Sequence, residues 1–479
     1  MTSPTRSLVS AWVRLGPRFL PFADAATPDL PLSRLLRLSL FQAPVGMALV
    51  LLVGTLNRVM IVELGVPASL VALMVALPVL YAPLRALIGY RSDNHRSALG
   101  WKRVPYIWLG SMIQFGGLAV MPFALLVLGG GGNASQWPAW LGPAGAAIAF
   151  LMVGAGMHTV QTAGLALATD LAPVEAQPRV VGLMYVMLLL GTIVSALVFG
   201  AFLQDFSPGR LVQVIQAAAV ATLVLNVVAL WQQETRRPPR GQAPPPAPPT
   251  FADAWRSYIA AAGARHRLLA IGLGTAAFGM QDVLLEPYGG QILGMSVGDT
   301  TWLTATLAGG GLLGFSVASA ILSRGADPAR MARAGAWVGI PAFMAVLLSA
   351  GLQSTALFSL GALLIGFGGG VFGHGTLTLT MNRAPREQIG LALGAWGAVQ
   401  ATCAGAGMAL GGVLRDLIGA WATAGGLGPA LAMPVTGYAG VYLLEIVLLV
   451  LTLVVMGRLI DPAAPALNPL NPPQPRSAP

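Results

Sequence analysis

Charge is what this chain has least of. Asp, Glu, Lys and Arg together make up 9% of its 479 residues, while hydrophobic residues make up 56%. A soluble domain carries roughly a quarter charged residues to keep its surface wetted. The charge here is too sparse to coat a soluble particle of this size. Cysteine is reduced to Cys403 alone, which excludes a disulfide framework, a CxxC redox pair and a cysteine zinc site. The sequence has no phosphate-binding GxxxxGK[ST] loop, no HExxH and no nucleophile elbow, so catalysis is not expected. The glycine runs at Gly129–Gly132 and Gly368–Gly370 read as loop or packing glycines. Met1 to Arg37 is dotted with arginine and lacks an apolar core, so no cleavable signal is expected there.

What the chain does have is long apolar runs. They fall near 38–62, 68–90, 104–128, 141–168, 179–203 and 210–231, then near 267–294, 300–323, 332–352, 355–381, 388–412 and 435–457. Each approaches the roughly 20 residues that a membrane-spanning helix needs. The expectation is an all-α membrane protein of twelve transmembrane helices. A net charge of +10 then reads as charge gathered on one membrane face, against anionic lipid, rather than as a nucleic-acid surface.

The arginines support this by alternating. Arg34 and Arg37 precede the first run; Arg91, Arg96, Lys102 and Arg103 follow the second; Arg236, Arg237 and Arg240 follow the sixth; Arg324, Arg330, Arg383 and Arg386 come later on the same side. The intervening loops at 129–140 and 353–355 carry no Lys or Arg. The positive-inside rule therefore predicts both termini and the central loop in the cytoplasm.

This pattern divides the chain into a cytoplasmic or interfacial segment (1–37), a six-helix bundle (38–231), a Pro-rich linker (232–266), a second six-helix bundle (267–458) and a disordered tail (459–479). The halves echo each other. ATDLAPVEAQPRVVGLM leaves span four as TMNRAPREQIGLALG leaves span ten. Two six-helix halves joined by a long loop is similar to the plan of the major facilitator superfamily.

Two groups of residues stand out. Gly89, Arg91 and Asp93, followed by Arg96, Gly100, Lys102 and Arg103, resemble that superfamily's motif between its second and third helices, with an expanded middle. The basic residues are expected to hold the loop at the anionic leaflet. The second group lies at bilayer depth, where ionisable side chains are costly. Arg58 is on span one, His158 and Gln161 on span four, Asp282 and Glu286 on span seven, His374 on span ten and Glu445 on span twelve. All but Glu445 fall on spans one, four, seven and ten. Asp282 and Glu286, spaced i,i+4, are expected on one helix face. Either they form a structural ion pair with Arg58, or the set forms a proton relay; the histidines either bond to a neighbouring helix or line a cavity.

The stretches LGPRFLPFADAATPDLPLSRLLRLSLFQ, GTLNRVMIVELGVP, GYRSDNHRSALGWKRVPYIWLG, QFGGLAVMPFALL and AFGMQDVLLEPYGGQILGMSVGDTT are far more specific than apolar helices in general. Through them the chain resembles the PucC/LhaA family of purple phototrophic bacteria, the bacteriochlorophyll delivery family of the major facilitator superfamily. The resemblance implies assembly of light-harvesting complexes, LH1 around the reaction-centre core or LH2, in the photosynthetic membrane. It implies antenna polypeptides as partners, with bacteriochlorophyll bound in passing and pigment-synthesis enzymes as further partners, and no intrinsic cofactor. On that reading His158 and His374 become candidate contacts to the pigment magnesium. The rival expectation is a proton-coupled, alternating-access transporter of a pigment precursor or another small solute.

Overall fold

The computed structural model describes residues 26–27, 30–81, 84–85, 88, 91–92, 100–173, 176–234, 256, 259–260, 263–383 and 389–457. Among these residues the chain is all-helical. Ten helices are long and apolar enough to cross a membrane: α1 (Leu32–Glu63), α3 (Val104–Leu128), α4 (Leu141–Leu171), α5 (within Gln177–Phe202), α6 (Pro208–Leu230), α8 (Val297–Leu322), α9 (Pro328–Leu352), α10 (Thr355–Arg383), α11 (within Ile389–Thr423) and α12 (Val435–Gly457). An eleventh, α7, joins Ala264–Val283 to Leu285–Leu293 with a 43° bend. The second apolar run appears as the shorter helix α2, Ala68–Leu80.

Helices α1 and α3 to α6 pack mainly within the first group and α7 to α12 mainly within the second, whereas α2 packs chiefly on α11. The two groups meet through α1 with α7, α2 with α11 and α5 with α8. Adding six to a helix number in the first half gives its counterpart in the second, so α2–α11 and α8–α5 are the same contact made twice. This is the two-fold relation of a major facilitator superfamily fold.

Without a hydrophobic driving force between helices in lipid, close packing depends on small residues. The α8–α10 seam illustrates the point. Gly310 and Gly314 on α8 lie against the Leu363 and Phe367 carbonyls of α10, and Gly366 and Gly370 on α10 lie against the Leu307 and Gly311 carbonyls of α8. A Cβ at any of these four positions would overlap main chain of the partner helix. Side-chain polar groups are mostly returned to the helix itself: Ser111, Thr159, Thr192, Thr222, Thr380 and Thr452 each donate to the carbonyl four residues back.

All hydrogen bonds between the halves, among the described residues, lie toward the charge-poor end of the bundle. Ser69 N donates to Asp416 Oδ2 (2.6 Å), Gln204 Nε2 to Asp299 Oδ1 (3.2 Å) and Trp302 Nε1 to the Leu197 carbonyl (3.0 Å). The Thr55 and Thr301 hydroxyls share a bond of 3.2 Å. The halves are therefore clamped at one end, and among the described residues no hydrogen bond joins them at the arginine-rich end.

Gly366→Val is expected to lower the melting temperature of the detergent-solubilised protein, because overpacking a tight seam costs about 1–3 kcal/mol. Gly373→Val, at a position where a Cβ meets nothing within 4 Å, should leave it unchanged. Equal melting of the two variants would refute the close α8–α10 seam.

Candidate functional site

The residues singled out on spans one and seven meet where both helices depart from α geometry. Helix α1 is π-helical over Val50–Thr55 and again over Val59–Glu63. Helix α7 tightens to a 3-10 turn over Met280–Val283, then bends at Leu284. Such a break strands main-chain carbonyls, and in a water-poor interior each must find a donor. Asn57, fully buried, supplies one: its Nδ2 donates to the Val283 carbonyl at 2.8 Å and to its own helix's Val53 carbonyl at 3.0 Å. Gln281 Nε2 donates to the Phe278 carbonyl at 3.2 Å and also to Asp282 Oδ1.

The break alters the expected placement of the acids. The i,i+4 spacing puts Asp282 and Glu286 on one face only if α7 is continuous, and it is not. Glu286 accepts from the Thr304 hydroxyl of α8, and its carboxyl occupies the space that a side chain at Gly54 of α1 would fill. Its Oε2 has no hydrogen-bond partner. Asp282 turns instead toward α12, where it acts electrostatically on Glu445. Glu445 is fully buried beside Gln281, with neither carboxyl oxygen hydrogen-bonded. The residue that stood outside the one-four-seven-ten pattern thus belongs to the same junction.

Arg58 does not pair with Asp282 or Glu286. It forms an ion pair with Glu63, five residues along its own helix, and Nη2 donates to the Met295 carbonyl at 3.1 Å beyond the end of α7. Gly290 of α7 leaves room for the guanidinium, since a Cβ there would stand 3.1 Å from Nε. Arg58 therefore ties the outer end of α7 to α1. Glu63 and Asn57 could have been found in the sequence as the polar neighbours of Arg58 in GTLNRVMIVELGVP.

Of the motif between α2 and α3, Gly89, Asp93 and Arg96 lie outside the described residues. Arg91 is exposed, and Gly100 adopts φ +78°, a conformation that favours glycine. Lys102 and Arg103 do not simply hold a loop to lipid. Their backbone N–H groups, with that of Val104, donate to the Glu234 carboxylate at 2.7–3.1 Å, which caps the N-terminus of α3. The Arg103 side chain is 4% exposed and binds Asp170 of α4 (Nε to Oδ2, 2.9 Å) and Ser92 (Nη1 to Oγ, 2.6 Å). The described end of this motif is thus tied within the first half.

Of the two candidate histidines, His158 is buried and His374 half-buried. Both ring nitrogens of His158 are buried without a hydrogen-bond partner, and Gln161 is buried one turn on. His374 stacks on Phe315 of α8 with ring centroids 4.2 Å apart, and its Nδ1 is buried and unpartnered.

Comparison with known proteins places these features in a family. The PUCC protein family model matches residues 55–464. The chain is 61% identical over 422 residues to Protein PucC of Rhodovulum sulfidophilum, covering 87% of this chain and 92% of that one. It is 57% identical over 457 residues to Protein PucC of Cereibacter sphaeroides, covering 95% and 98%. Among solved structures, it is similar to a bacterial homologue of the human lysosomal transporter Spinster in an inward-facing, unoccupied conformation. The TM-score is 0.65 at 16% identity, over 88% of this chain and 95% of that one; at that identity the likeness concerns the fold.

Asn57→Ala would leave the Val283 carbonyl unpaired, which costs about 1–3 kcal/mol. A lowered melting temperature is expected, together with faster amide exchange around 280–284. Unchanged exchange there would show that Asn57 does not hold the break.

Proposed function

The chain belongs to the PucC family, and from that membership we propose that this multi-pass membrane protein is an assembly factor for light-harvesting complexes. Its clients are the small antenna polypeptides of LH1, around the reaction-centre core, or of LH2, which it helps to insert into the photosynthetic inner membrane. Bacteriochlorophyll is transient cargo received from pigment-synthesis enzymes, not a resident cofactor, and the protein catalyses no step itself. Both termini face the cytoplasm, so the closed, charge-poor end faces the opposite compartment and the arginine-rich end faces the site of polypeptide and pigment synthesis. The family match over residues 55–464 carries this reading. The apolar flanks support it: Phe123, Leu352 and Leu417 are each more than 60% exposed, on faces able to meet a second transmembrane helix.

A transport reading has its own support in the α7 break. Discontinuous helices at the interface between halves are the usual site of substrate and ion binding in transporters, and Asp282, Glu286 and Glu445 cluster around this one. In that case the protein moves a pigment precursor or another small solute, coupled to protons.

The two readings separate in one experiment. Deletion of the gene should remove or strongly reduce a near-infrared antenna band while pigment synthesis continues. Complementation with Asp282→Asn or Glu286→Gln should restore the band if the protein acts as an assembly scaffold. Failure of both variants to restore it despite normal membrane levels favours proton-coupled transport. A normal antenna spectrum in the deletion strain would overturn the assembly role.

A further inference from the structure

The assembly reading leaves unused a half-buried cation inside the first half. Arg85 stands in the second apolar run, five residues beyond the end of α2, where helices α2, α4 and α5 converge. Its Nε donates to the Thr162 hydroxyl of α4 at 3.0 Å, and that hydroxyl donates in turn to the His158 carbonyl at 2.7 Å. Tyr185 of α5 and the His158 ring are its electrostatic neighbours. Neither Nη group has a hydrogen-bond partner among the described residues, and neither is sealed from solvent. The nearest acid along α4, Asp170, is held by Arg103.

A guanidinium at this depth without a counter-charge is costly. Thr162 lies nine residues before the end of α4, or roughly 13 Å into the bundle at 1.5 Å per residue. Helices α2 and α5 are also the two, besides α1, that touch the second half at the closed end. Arg85 therefore stands below the clamp, on the wall of the first half that faces the opposite one. Because Nε is occupied by Thr162, the guanidinium presents its Nη1–Nη2 edge, which matches the two oxygens of a carboxylate. The hydroxyl of the half-buried Tyr185, without a hydrogen-bond partner among the described residues, offers a further donor. His158, with both nitrogens closed off beneath, leaves the guanidinium as the single accessible charge of this cluster.

We infer that Arg85, positioned by Thr162 and assisted by Tyr185, binds the carboxylate of a largely apolar molecule that enters between the halves from the arginine-rich end. One cation in an apolar wall balances one negative charge, which favours a monocarboxylate over a phosphate dianion. The inference goes beyond the assembly role and does not depend on it. A membrane fatty acid and a tetrapyrrole acid share this chemistry.

The test uses the full-length protein in nanodiscs of zwitterionic lipid, with melting temperature followed against oleate, pheophorbide a, oleyl alcohol and dodecyl phosphate. A saturable rise with oleate or pheophorbide a, absent with oleyl alcohol, is expected; whichever acid acts at tenfold lower concentration identifies the source. Arg85→Gln should abolish the rise, and Tyr185→Phe should weaken it several-fold. Arg91→Gln, at an exposed site, should leave it intact. Should Arg85→Gln fail to fold, Arg85→Lys serves in its place, since a point charge loses the two-point grip and should bind at least several-fold more weakly. No rise with either acid, an equal rise with oleyl alcohol, tighter binding of dodecyl phosphate, or full binding by the Arg85 variants would each overturn the proposal.

Discussion

The fold turns on a main-chain carbonyl, that of Val283. Breaking a helix in the apolar interior exposes polar backbone that water cannot reach, so the break exists only where another helix brings a donor to it. Asn57 brings that donor, from a part of α1 flanked on both sides by π-helical turns. Around this bond sit the other ties between α1 and the second half: Thr55 to Thr301, Arg58 to Met295, and Glu286 in the space left by Gly54. The bend in α7, the separation of Asp282 from Glu286 and the clamp at the charge-poor end are one arrangement.

The architecture was legible because membrane helices must be long, apolar and bracketed by asymmetric charge. The helices sit on the expected apolar runs, and the structural likeness to a transporter agrees with the two-half plan. The side chains were less legible. Periodicity places Asp282 and Glu286 on one face, because a spacing rule presumes an unbroken helix; AFGMQDVLLEP holds no proline before Pro287 to announce the 3-10 turn. Glu445 falls outside the one-four-seven-ten pattern because that pattern counts helices and not contacts, and α12 packs on the broken segment of α7. Arg103 read as a lipid-facing charge because loop position says nothing about its partner, Asp170, 67 residues away. Arg85 went unremarked inside an apolar run, although a lone arginine there is itself a signal.

The first half is cross-braced by charge at its arginine-rich end, through Arg103 with Asp170 and Glu234 with the start of α3. These bonds stay within the half. The half can therefore rotate as a unit while its own helices keep their register, as rocking of one repeat against the other requires. The second half is braced differently, by an aromatic cluster in which Tyr288 meets Phe358, Tyr438 and Tyr442 at 5.2–5.6 Å. That cluster backs the α7 segment carrying Glu286, so the broken helix leans on a rigid support on one side and on α1 on the other.

How readily the clamp opens follows from what it is made of. Among the described residues, six hydrogen bonds join the halves, through Thr55, Asn57, Arg58, Ser69, Gln204 and Trp302. At about 0.5–1.5 kcal/mol net for each, they hold the closed end with a free energy that differential binding of a ligand or a partner helix can match. A transporter uses such a balance to expose a site alternately to two sides. An assembly factor can use the same balance to hold a client and then release it, and only the identity of what binds between the halves, or against their flanks, distinguishes the two. The fold therefore constrains the mechanics of this protein more than its cargo. On the proposed readings, cargo would be selected at polar groups without partners inside the bundle, and among the described residues Arg85 offers one such group, a guanidinium with a free edge.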